Sequence, residues 1–458
     1  MERATMRQKR KKQLTIFHAF FKSDIGQELE MMSHILDENP KVLNGVFQDL
    51  VGMSKSDAGR KGLTAEQVLR CGILKQHRNL TYEELAFHLA DSQAFRAFAR
   101  LGMGQYPSGS TLQENIKALK EETWEQINRL IAGYGRKAGL EKGQQVRLDS
   151  TAVESDIHYP TDSTLLQDGI RVITRLLQDG YQLSPKPAYQ FSDHTRVVKR
   201  RVLKIKNAKS PKERTQAYKE VLQIAQAVRG YGLEAIAALA SYPSQDEQII
   251  FVRNLLEELH RALNLFDRIM DQTRRRVLWG ERVPANEKVV SFFEDHTDII
   301  EKGQREIVYG HKVFLAGGKS GLILDCLVVS GNPADTELFL PLLERQKRIY
   351  GKAPRQTAAD GGFASLDNLQ RAKKLGVQDV SFSKKRGLSV LEMVKSHWVY
   401  KKLKNFRAGI EANISRLKRS FGLTRCTWSA WEGFKQYVWS AVVSYNLAVL
   451  ANLKLAKA

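Results

Sequence analysis

The chain has 458 residues, enough for two or three domains with hydrophobic cores of their own. Hydrophobic residues make up 42% and charged residues 27%, which is typical of a soluble folded protein. Lys+Arg 72 against Asp+Glu 50 gives a net charge of +22, and this surplus predicts a polyanionic partner. Nucleic acid fits that partner best, and an anionic membrane surface fits it less well.

The three cysteines, Cys71, Cys326 and Cys426, lie far apart and form no C-x-x-C pair. This spacing argues against a disulfide framework or a zinc knuckle and fits a reducing cytoplasm. No apolar run reaches the roughly 18–20 residues that a membrane span needs. The first 21 residues lack an apolar core long enough for a secretion signal, so we expect a cytoplasmic protein.

Helical periodicity dominates the first 140 residues or so. The segments "TAEQ" from Thr64, "TYEE" from Thr81 and "STLQ" from Ser110 each fit a capping box at a helix start. Helices are predicted over 81–92, to about 101, and over 110–120, with the break "LGMGQYPSGS" before the last.

A helix-turn-helix arrangement would follow from these three helices. The last helix would then present Gln113, Asn115 and Lys117 outward, where they could contact base edges or phosphates. A plain helical bundle with a solvated face explains the same pattern equally well.

The pattern changes near Gln145, where "QVRLDSTAVES" alternates apolar and polar residues as a half-buried strand does. Helical periodicity returns over 161–284 and includes a strongly basic run. Its cations Arg196, Lys199, Arg200 and Lys204 suit contact with phosphates, although a charge run is more often a solvated face.

From about residue 288 the sequence alternates strands and helices. Strands are predicted at "VVSFFE", "YGHKVFLA", "GLILDCLVVSG", "RQTAADGGF" and "VQDVSFSK". Helices are predicted at "PADTELFLPLLERQKRIYG", "SLDNLQRAKKLG", the segment around 406–419 and 429–455. These strands and 145–153 would form one mixed sheet, with the 161–284 helices inserted into it.

Two aspartates occupy positions that suit chemistry. Asp149 lies in the first strand, and Asp360 ends a later strand before Gly361 and Gly362, whose backbones permit a sharp turn and close approach of a ligand. The bland explanations are a simple Asp-Gly turn at Asp360 and an edge-strand residue or helix cap at Asp149.

A glutamate stands among cations in "FRAGIEANISRLKR", 406–419. At about 100° per residue, Ile410, Ile414, Leu417 and Phe421 form an apolar stripe. Arg407, Glu411 and Lys418 form a narrow second stripe beside it. An i,i+4 ion pair explains Arg407 and Glu411 but not the presence of Lys418.

A carboxylate on a packed helix beside two strand aspartates is what a metal-dependent phosphoryl-transfer site needs, because Mg²⁺ prefers oxygen ligands. Glu294, Asp295 and Asp325 compete for these roles on spacing alone.

The segments "RLDSTAVESDIHYPTDS", "TAADGGFAS" and "FRAGIEANISRLKRSFGLTR" resemble the DDE transposases of bacterial insertion sequences. The last segment is similar to the signature Y-x2-R-x3-E-x6-K of one large group: Arg407, Glu411 and Lys418 match it, and Lys404 stands in place of the tyrosine. The resemblance implies an α/β, ribonuclease-H-like mixed sheet with helices, interrupted by a helical insertion and preceded by an all-α N-terminal domain.

The resemblance also implies domain bounds and site roles. The domains would be 1–140 (DNA-binding), 141–160 with 285–425 (catalytic), 161–284 (insertion) and 426–458 (C-terminal helix). Asp149, Asp360 and Glu411 would bind two divalent ions, Mg²⁺ or Mn²⁺, and Arg407 and Lys418 would contact the DNA ends. The enzyme would act on double-stranded DNA at the bacterial nucleoid, as a homodimer, and not on a membrane.

The activity implied is cleavage at the element's ends followed by transfer of the 3′-hydroxyl strand to target DNA. Two alternatives remain open: a transposase-derived DNA-binding protein without catalysis, and a simple metal-dependent nuclease.

Overall fold

The computed structural model describes residues 7–10, 23–52, 62–242, 246–302 and 306–457, without the side chains of 246, 247 and 302. The first 21 residues, for which the sequence predicts no secretion signal, lie mostly outside these described residues. The chain forms two compact units, one of residues 1–155 with 311–458 and one of residues 156–310. The predicted four-part division of the chain stays a prediction.

The N-terminal part of the first unit is helical, as predicted. Its helices are Asp24–Glu38 (α1), Leu43–Gly52 (α2), Ala65–His77 (α3), Tyr82–Asp91 (α4), Gln93–Ala99 (α5), Gly109–Lys117 (α6) and Glu121–Lys137 (α7), with a short 3-10 turn at Pro40–Val42. The capping boxes at Thr64 and Thr81 are confirmed. The box predicted at Ser110 is wrong, because Ser108 accepts the hydrogen bond from the Thr111 amide and α6 begins earlier.

The second unit is a helical bundle, in agreement with the periodicity of 161–284. Its helices are Asp162–Gly180 (α8), Thr195–Asn207 (α9), Pro211–Ala240 (α10) and Asp246–Thr273 (α11), followed by a π-helical turn at Arg274–Leu278 and a 3-10 turn at Ala285–Glu287. Leu166, Val221 and Phe266 are among the residues that form its core. The unit therefore has a hydrophobic core of its own.

Six strands form one mixed sheet. They are Gln145–Glu154 (β1), Asp298–Lys302 (β2), Glu306–Gly317 (β3), Ile323–Val329 (β4), Gln356–Ala359 (β5) and Asp379–Phe382 (β6). In the first unit the order is β4-β3-β1-β5-β6, with β4 antiparallel to β3, and with β5 parallel to β1 and β6. Within the second unit, β2 pairs antiparallel with the first half of β3.

One predicted strand is wrong. "VVSFFE" is irregular, and the strand of this region begins at Asp298. The side chain of Gln272 accepts from the Val289 amide at 2.8 Å and donates to its carbonyl at 3.1 Å, while Phe292 packs into the core of the second unit. A side chain therefore takes the backbone groups that a neighbouring strand would have used.

The remaining helices cover the sheet of the first unit. They are Asp335–Tyr350 (α12), Leu366–Leu375 (α13), Val390–Met393 (α14), His397–Ser420 (α15) and Ala430–Leu455 (α16), and a 3-10 turn spans Gly361–Phe363. The mixed sheet, these helices and the helical N-terminal region confirm the α/β, ribonuclease-H-like class.

Helix α16 is the one described helix that is long and apolar enough to cross a membrane by length and composition. Of its apolar window, 78% is buried inside the protein. It packs against α1, α3, α7 and β4. Trp428, just before it, is 2% exposed and lies in the hydrophobic core.

Candidate active site

Strand register brings Asp149 and Asp360 together. In the parallel pair β1–β5, Leu148 lies beside Ala359, so the next residues along both strands are neighbours. In the pair β5–β6, Ala359 lies beside Phe382, and the following Ser383 donates its hydroxyl to Oδ1 of Asp360 at 2.7 Å. The two acids therefore share one edge of the sheet, as their positions in the sequence predicted.

Helix α15 carries Glu411 over β1, β5 and β6, against which it packs. Ile410 and Leu417 are fully buried, so the predicted apolar stripe faces the sheet. The side chain of Glu411 is 62% exposed, which makes it more open than its place beside that stripe suggested.

A buried arginine fixes the contact between β1 and α15. Arg147, two residues before Asp149, donates Nη1 to the Phe406 carbonyl at 3.1 Å, and its guanidinium lies 5.0 Å from the centre of the Phe406 ring. A Cβ at Gly409 would overlap Nη1 of Arg147. The glycine in "FRAGIEAN" thus leaves space for a side chain of the neighbouring strand.

One guanidinium contacts all three predicted acids. Nη1 of Arg407 lies 3.5 Å from Oδ2 of Asp149 and 3.1 Å from Oδ1 of Asp360, and Nη2 pairs with Oε1 of Glu411. Because both aspartate oxygens approach the same nitrogen, they are closer to each other than the sum of these two distances. Three acids from two strands and one helix therefore converge on a single point.

The electrostatic environment shifts the pKa values of the two aspartates in opposite directions. Burial raises the pKa of Asp149 to about 6; the Ser150 amide and Arg407 oppose this rise, and Asp360 and Glu411 add to it. Partial burial acts in the same direction on Asp360. Its net pKa is nevertheless lowered, because Ser383, the Gly361 and Gly362 amides and the charge of Arg407 stabilise its carboxylate.

Two families match the chain. Residues 294–447 match the family described as "Transposase DDE domain", and residues 22–118 match "Transposase domain (DUF772)". Together these spans cover more than half of the chain. The chain belongs to the DDE transposases of the insertion-sequence type. No curated protein and no solved structure matches it.

The matched spans bear differently on the three acids of this transposase. Asp360, Arg407 and Glu411 lie inside the DDE span, whereas Asp149 lies outside both spans. The link between Asp149 and the other acids therefore rests on strand register and on its contact with Arg407.

The family implies a DNA substrate and dependence on a divalent metal. Three carboxylates that meet at one point supply the hard oxygen donors that Mg²⁺ or Mn²⁺ accepts, so the residues fit such an ion chemically. In the described residues, no three His, Cys, Asp or Glu side chains are arranged to hold an ion directly. Among the described contacts, Arg407 places a positive charge between these acids.

Lys418 and Lys404 are the other two signature positions, and they differ in their surroundings. Lys418 donates Nζ to the Ala152 carbonyl of β1 at 2.9 Å. Lys404, in the tyrosine's position, is exposed. Tyr400, one turn earlier on the same face, donates its hydroxyl to the Phe382 carbonyl at 2.9 Å.

The predicted outward face of α6 is wrong for Asn115. Asn115 is 7% exposed; its side chain donates to the Thr111 carbonyl at 2.7 Å and accepts from Arg7 at 2.8 Å. Residues two apart on a helix differ by about 200°, so Asn115 cannot share a face with Gln113 and Lys117. Gln113 is exposed and Lys117 half-buried.

Three of the four cations of helix α9 that were predicted to contact phosphates are exposed and lack a described ion-pair partner. Arg196, Lys199 and Arg200 are exposed, and no described ion pair involves them. Lys204 lies 3.8 Å from Glu220 of α10. Its charge is therefore partly neutralised within the second unit.

The competing acids have other partners. Asp325 is 1% exposed and is bound by Nε and Nη2 of Arg345, both at 2.8 Å. Asp295 pairs with Arg261 at 3.1 Å, and Glu294 contacts His296 at 2.8 Å. These contacts indicate that the three acids stabilise the fold and do not belong to the candidate site.

Sequence reasoning missed Arg147 and Ser383. The signal for Ser383 was its place directly after a strand that pairs with the strand of Asp360. Arg147 stands at an i−2 position to Asp149 on the same strand, so it shares a face with that acid.

Proposed function

We propose that this transposase binds the ends of an insertion sequence, cleaves the DNA there and joins the freed 3′ end to target DNA. Asp149, Asp360 and Glu411 are the catalytic residues. The observation that supports this proposal is the convergence of these three acids, from β1, β5 and α15, on the guanidinium of Arg407.

The reaction has two displacements at phosphorus. Water attacks a phosphodiester at the element's end, the bond from phosphorus to the 3′ oxygen breaks, and that oxygen leaves as a 3′-hydroxyl. The hydroxyl then attacks a target phosphodiester, forms a new bond to phosphorus and releases a 3′-hydroxyl of the target strand. Asp149, Asp360 and Glu411 would hold two divalent ions, Mg²⁺ or Mn²⁺, which would activate the attacking oxygen and stabilise the leaving one.

The chain's own residues hold the site in shape. The Ser150 amide fixes Asp149 at 2.9 Å, and Ser383 fixes Asp360. Glu411, the most exposed acid, completes the set from the open side. Arg407 balances the charge of the acids, and Arg407 and Lys418 contact phosphates of the DNA ends.

The DNA ends also contact regions outside the acids. The open cations of α9, Arg196, Lys199 and Arg200, bind phosphates without regard to sequence, and Gln113 and Lys117 of α6 face the DNA. Two ends must be brought together, so the enzyme works as a homodimer on DNA, in the cytoplasm at the nucleoid.

The contribution of α9 is tested by salt dependence. Replacement of Arg196, Lys199 and Arg200 by Gln should flatten the plot of log affinity against log salt by about 3, since each neutralised phosphate contributes about 0.9. Lys204→Gln alone should change the slope less, because Glu220 already neutralises that cation. An unchanged slope in the triple variant would show that this face of α9 is exposed to solvent and does not bind DNA.

The central experiment measures cleavage and joining with purified protein, Mg²⁺ and a duplex that carries the inverted repeat flanking the reading frame. Asp149→Ala, Asp360→Ala and Glu411→Gln should each reduce cleavage by about 1,000-fold or more, because several kcal/mol of transition-state stabilisation is lost. Binding of the duplex should remain.

Asp367→Asn is the matched control, since it removes an exposed carboxylate of α13 whose side chain is 70% exposed. Cleavage and joining by Glu411→Gln at the wild-type rate would refute the site. Cleavage by the wild type without joining would indicate a simple nuclease. End binding without cleavage would indicate a DNA-binding relic.

A further inference from the structure

The turn after β6 carries three cations beside the acids. Lys384, Lys385 and Arg386 follow Ser383 directly and are exposed. No described ion pair joins any of them to a carboxylate. Arg407 and Lys418, the cations expected to contact DNA, are by contrast engaged with the three acids and with the Ala152 carbonyl.

Two contacts attach this turn to the site. Ser383 donates its hydroxyl to Asp360 at 2.7 Å, and its amide continues the parallel ladder by donating to the Ala359 carbonyl at 3.0 Å. The aliphatic stem of Lys384 lies over Gly361, where a Cβ would come within 2.7 Å of the Cβ of Lys384. The ammonium group thus extends into solvent past the glycine turn that follows Asp360.

The turn has a defined backbone. Arg386 has φ 46° and Gly387 has φ 89°, and the Leu388 amide donates to the Lys385 carbonyl at 2.9 Å, as in a type I′ turn. Asparagine or glycine adopts this conformation more easily than arginine. The arginine side chain therefore stands where the backbone alone would favour a different residue, which is common where a side chain has a function.

Helix α15 supports the same surface. The Lys385 ammonium lies 5.8 Å from the centre of the Tyr400 ring, and the Tyr400 hydroxyl holds the Phe382 carbonyl at the end of β6. Lys404 follows Tyr400 by one turn on the same helix face and is exposed. Four cations from two elements therefore border the acids on the side of β6.

We propose that the turn Ser383–Gly387, with Lys404, is a phosphate clamp that binds the DNA backbone next to the cleaved phosphodiester. The clamp recognises phosphate charge and not base sequence, because lysine and arginine on an open turn contact backbone oxygens. This inference rests on the proposed function and identifies the surface along which the substrate strand leaves the acids.

The test compares two triple variants of equal charge change. Lys384→Gln, Lys385→Gln and Arg386→Asn removes the cations of the turn, and Asn keeps the positive φ. Lys347→Gln, Arg348→Gln and Lys352→Gln removes three exposed cations at, and just after, the C-terminal end of α12. The probe is the flanking-repeat duplex, with affinity measured over a range of KCl concentrations in Ca²⁺.

The clamp variant should flatten the slope of log affinity against log salt by about 2–3, and the α12 variant should leave it unchanged. Replacement of single phosphates by neutral methylphosphonates should weaken wild-type binding next to the cleaved bond and have little further effect in the clamp variant. A wild-type slope in the clamp variant, at an unchanged melting temperature, would overturn the proposal.

The single variant Arg386→Asn provides a second test should the triple variant not fold, with an expected slope change of about 1. A wild-type protein that binds the duplex without cutting it, while the clamp variant loses slope, would refute the proposed function and leave the clamp standing. A wild-type protein that cuts the duplex, together with a clamp variant that keeps the wild-type slope, would support the proposed function and refute the clamp.

Discussion

Two clusters of arginine and carboxylate in the first unit have opposite compositions. Around α3, the guanidiniums of Arg10, Arg70 and Arg100 share two acids, Asp37 and Glu66. At the candidate active site, one guanidinium, that of Arg407, shares three acids. The first cluster has an excess of positive charge and the second an excess of negative charge.

The clusters also differ in exposure. The side chain of Arg70 is 1% exposed and that of Glu66 is 6% exposed, whereas Glu411 is 62% exposed. Burial lowers the pKa of Arg70 to about 10 and raises that of Asp149 to about 6, so each charge resists removal from water. The cluster around α3, with its buried Arg70–Glu66 pair, serves the fold. The cluster around Arg407, with its exposed Glu411 and more acids than cations, is called the open cluster.

Removal of the central arginine should reveal the largest difference in stability between the two clusters. Arg70→Met should lower the free energy of unfolding by about 3–5 kcal/mol, because Glu66 loses a buried partner. Arg407→Met should lower it by less than about 1 kcal/mol, since two of its three acids face solvent. Urea unfolding followed by tryptophan fluorescence measures both, and equal losses would contradict the distinction.

Substitutions in the packing between β1 and α15, next to the open cluster, should cost more stability than substitutions on its surface. Gly409→Ala should destabilise the protein by about 2 kcal/mol, because the new Cβ meets the Arg147 guanidinium. Gly133→Ala in α7 is the control; nothing lies within 4 Å of its Cβ position, so it should stabilise by about 0.5–1 kcal/mol. Arg147→Leu should rescue part of the Gly409→Ala loss, and additive losses would argue against the clash.

The pKa of Asp149 makes the stability of the open cluster depend on pH. Its folded pKa of about 6 lies above its ordinary value of 3.8, so the stability that the neutral form contributes is complete below about pH 4 and is lost by about pH 6. Without divalent ions, Asp149→Asn should therefore raise the free energy of unfolding by about 2 kcal/mol at pH 8 and by little at pH 4. Equal gains at both pH values would exclude the titration of Asp149 as the cause.

Competition between arginine and metal should give the smallest effect. Arg407→Gln should tighten Mn²⁺ binding, measured by titration calorimetry, by about tenfold, because the guanidinium repels a cation at the same oxygens. Arg416→Gln, an exposed cation of α15, should leave the affinity unchanged. Weaker binding by the Arg407 variant would show that the arginine supports the ion.

Sequence alone predicted most elements of the fold and the three acids. Capping residues such as Thr64 and Thr81, strand alternation around Asp149 and the glycine turn after Asp360 are local signals, and the structure follows them. The assignment of metal and DNA roles to these residues stays a prediction.

The errors have different causes. "VVSFFE" has the composition of a strand, but Gln272, near the end of α11, binds its backbone. The prediction placed Asn115 outward beside Gln113 and Lys117, although helix geometry turns it inward to Thr111 and Arg7. Arg147 shares a strand face with Asp149, but only the crossing of β1 and α15 shows what Gly409 makes room for.

The order of the acids along the chain has a consequence for synthesis. Asp149 emerges from the ribosome early, and Glu411 emerges only after the whole second unit and most of the sheet have been made. A nascent or prematurely terminated polypeptide therefore lacks a complete set of acids. On the proposed function, a polypeptide that stops before α15 would lack Glu411 and would not cleave DNA.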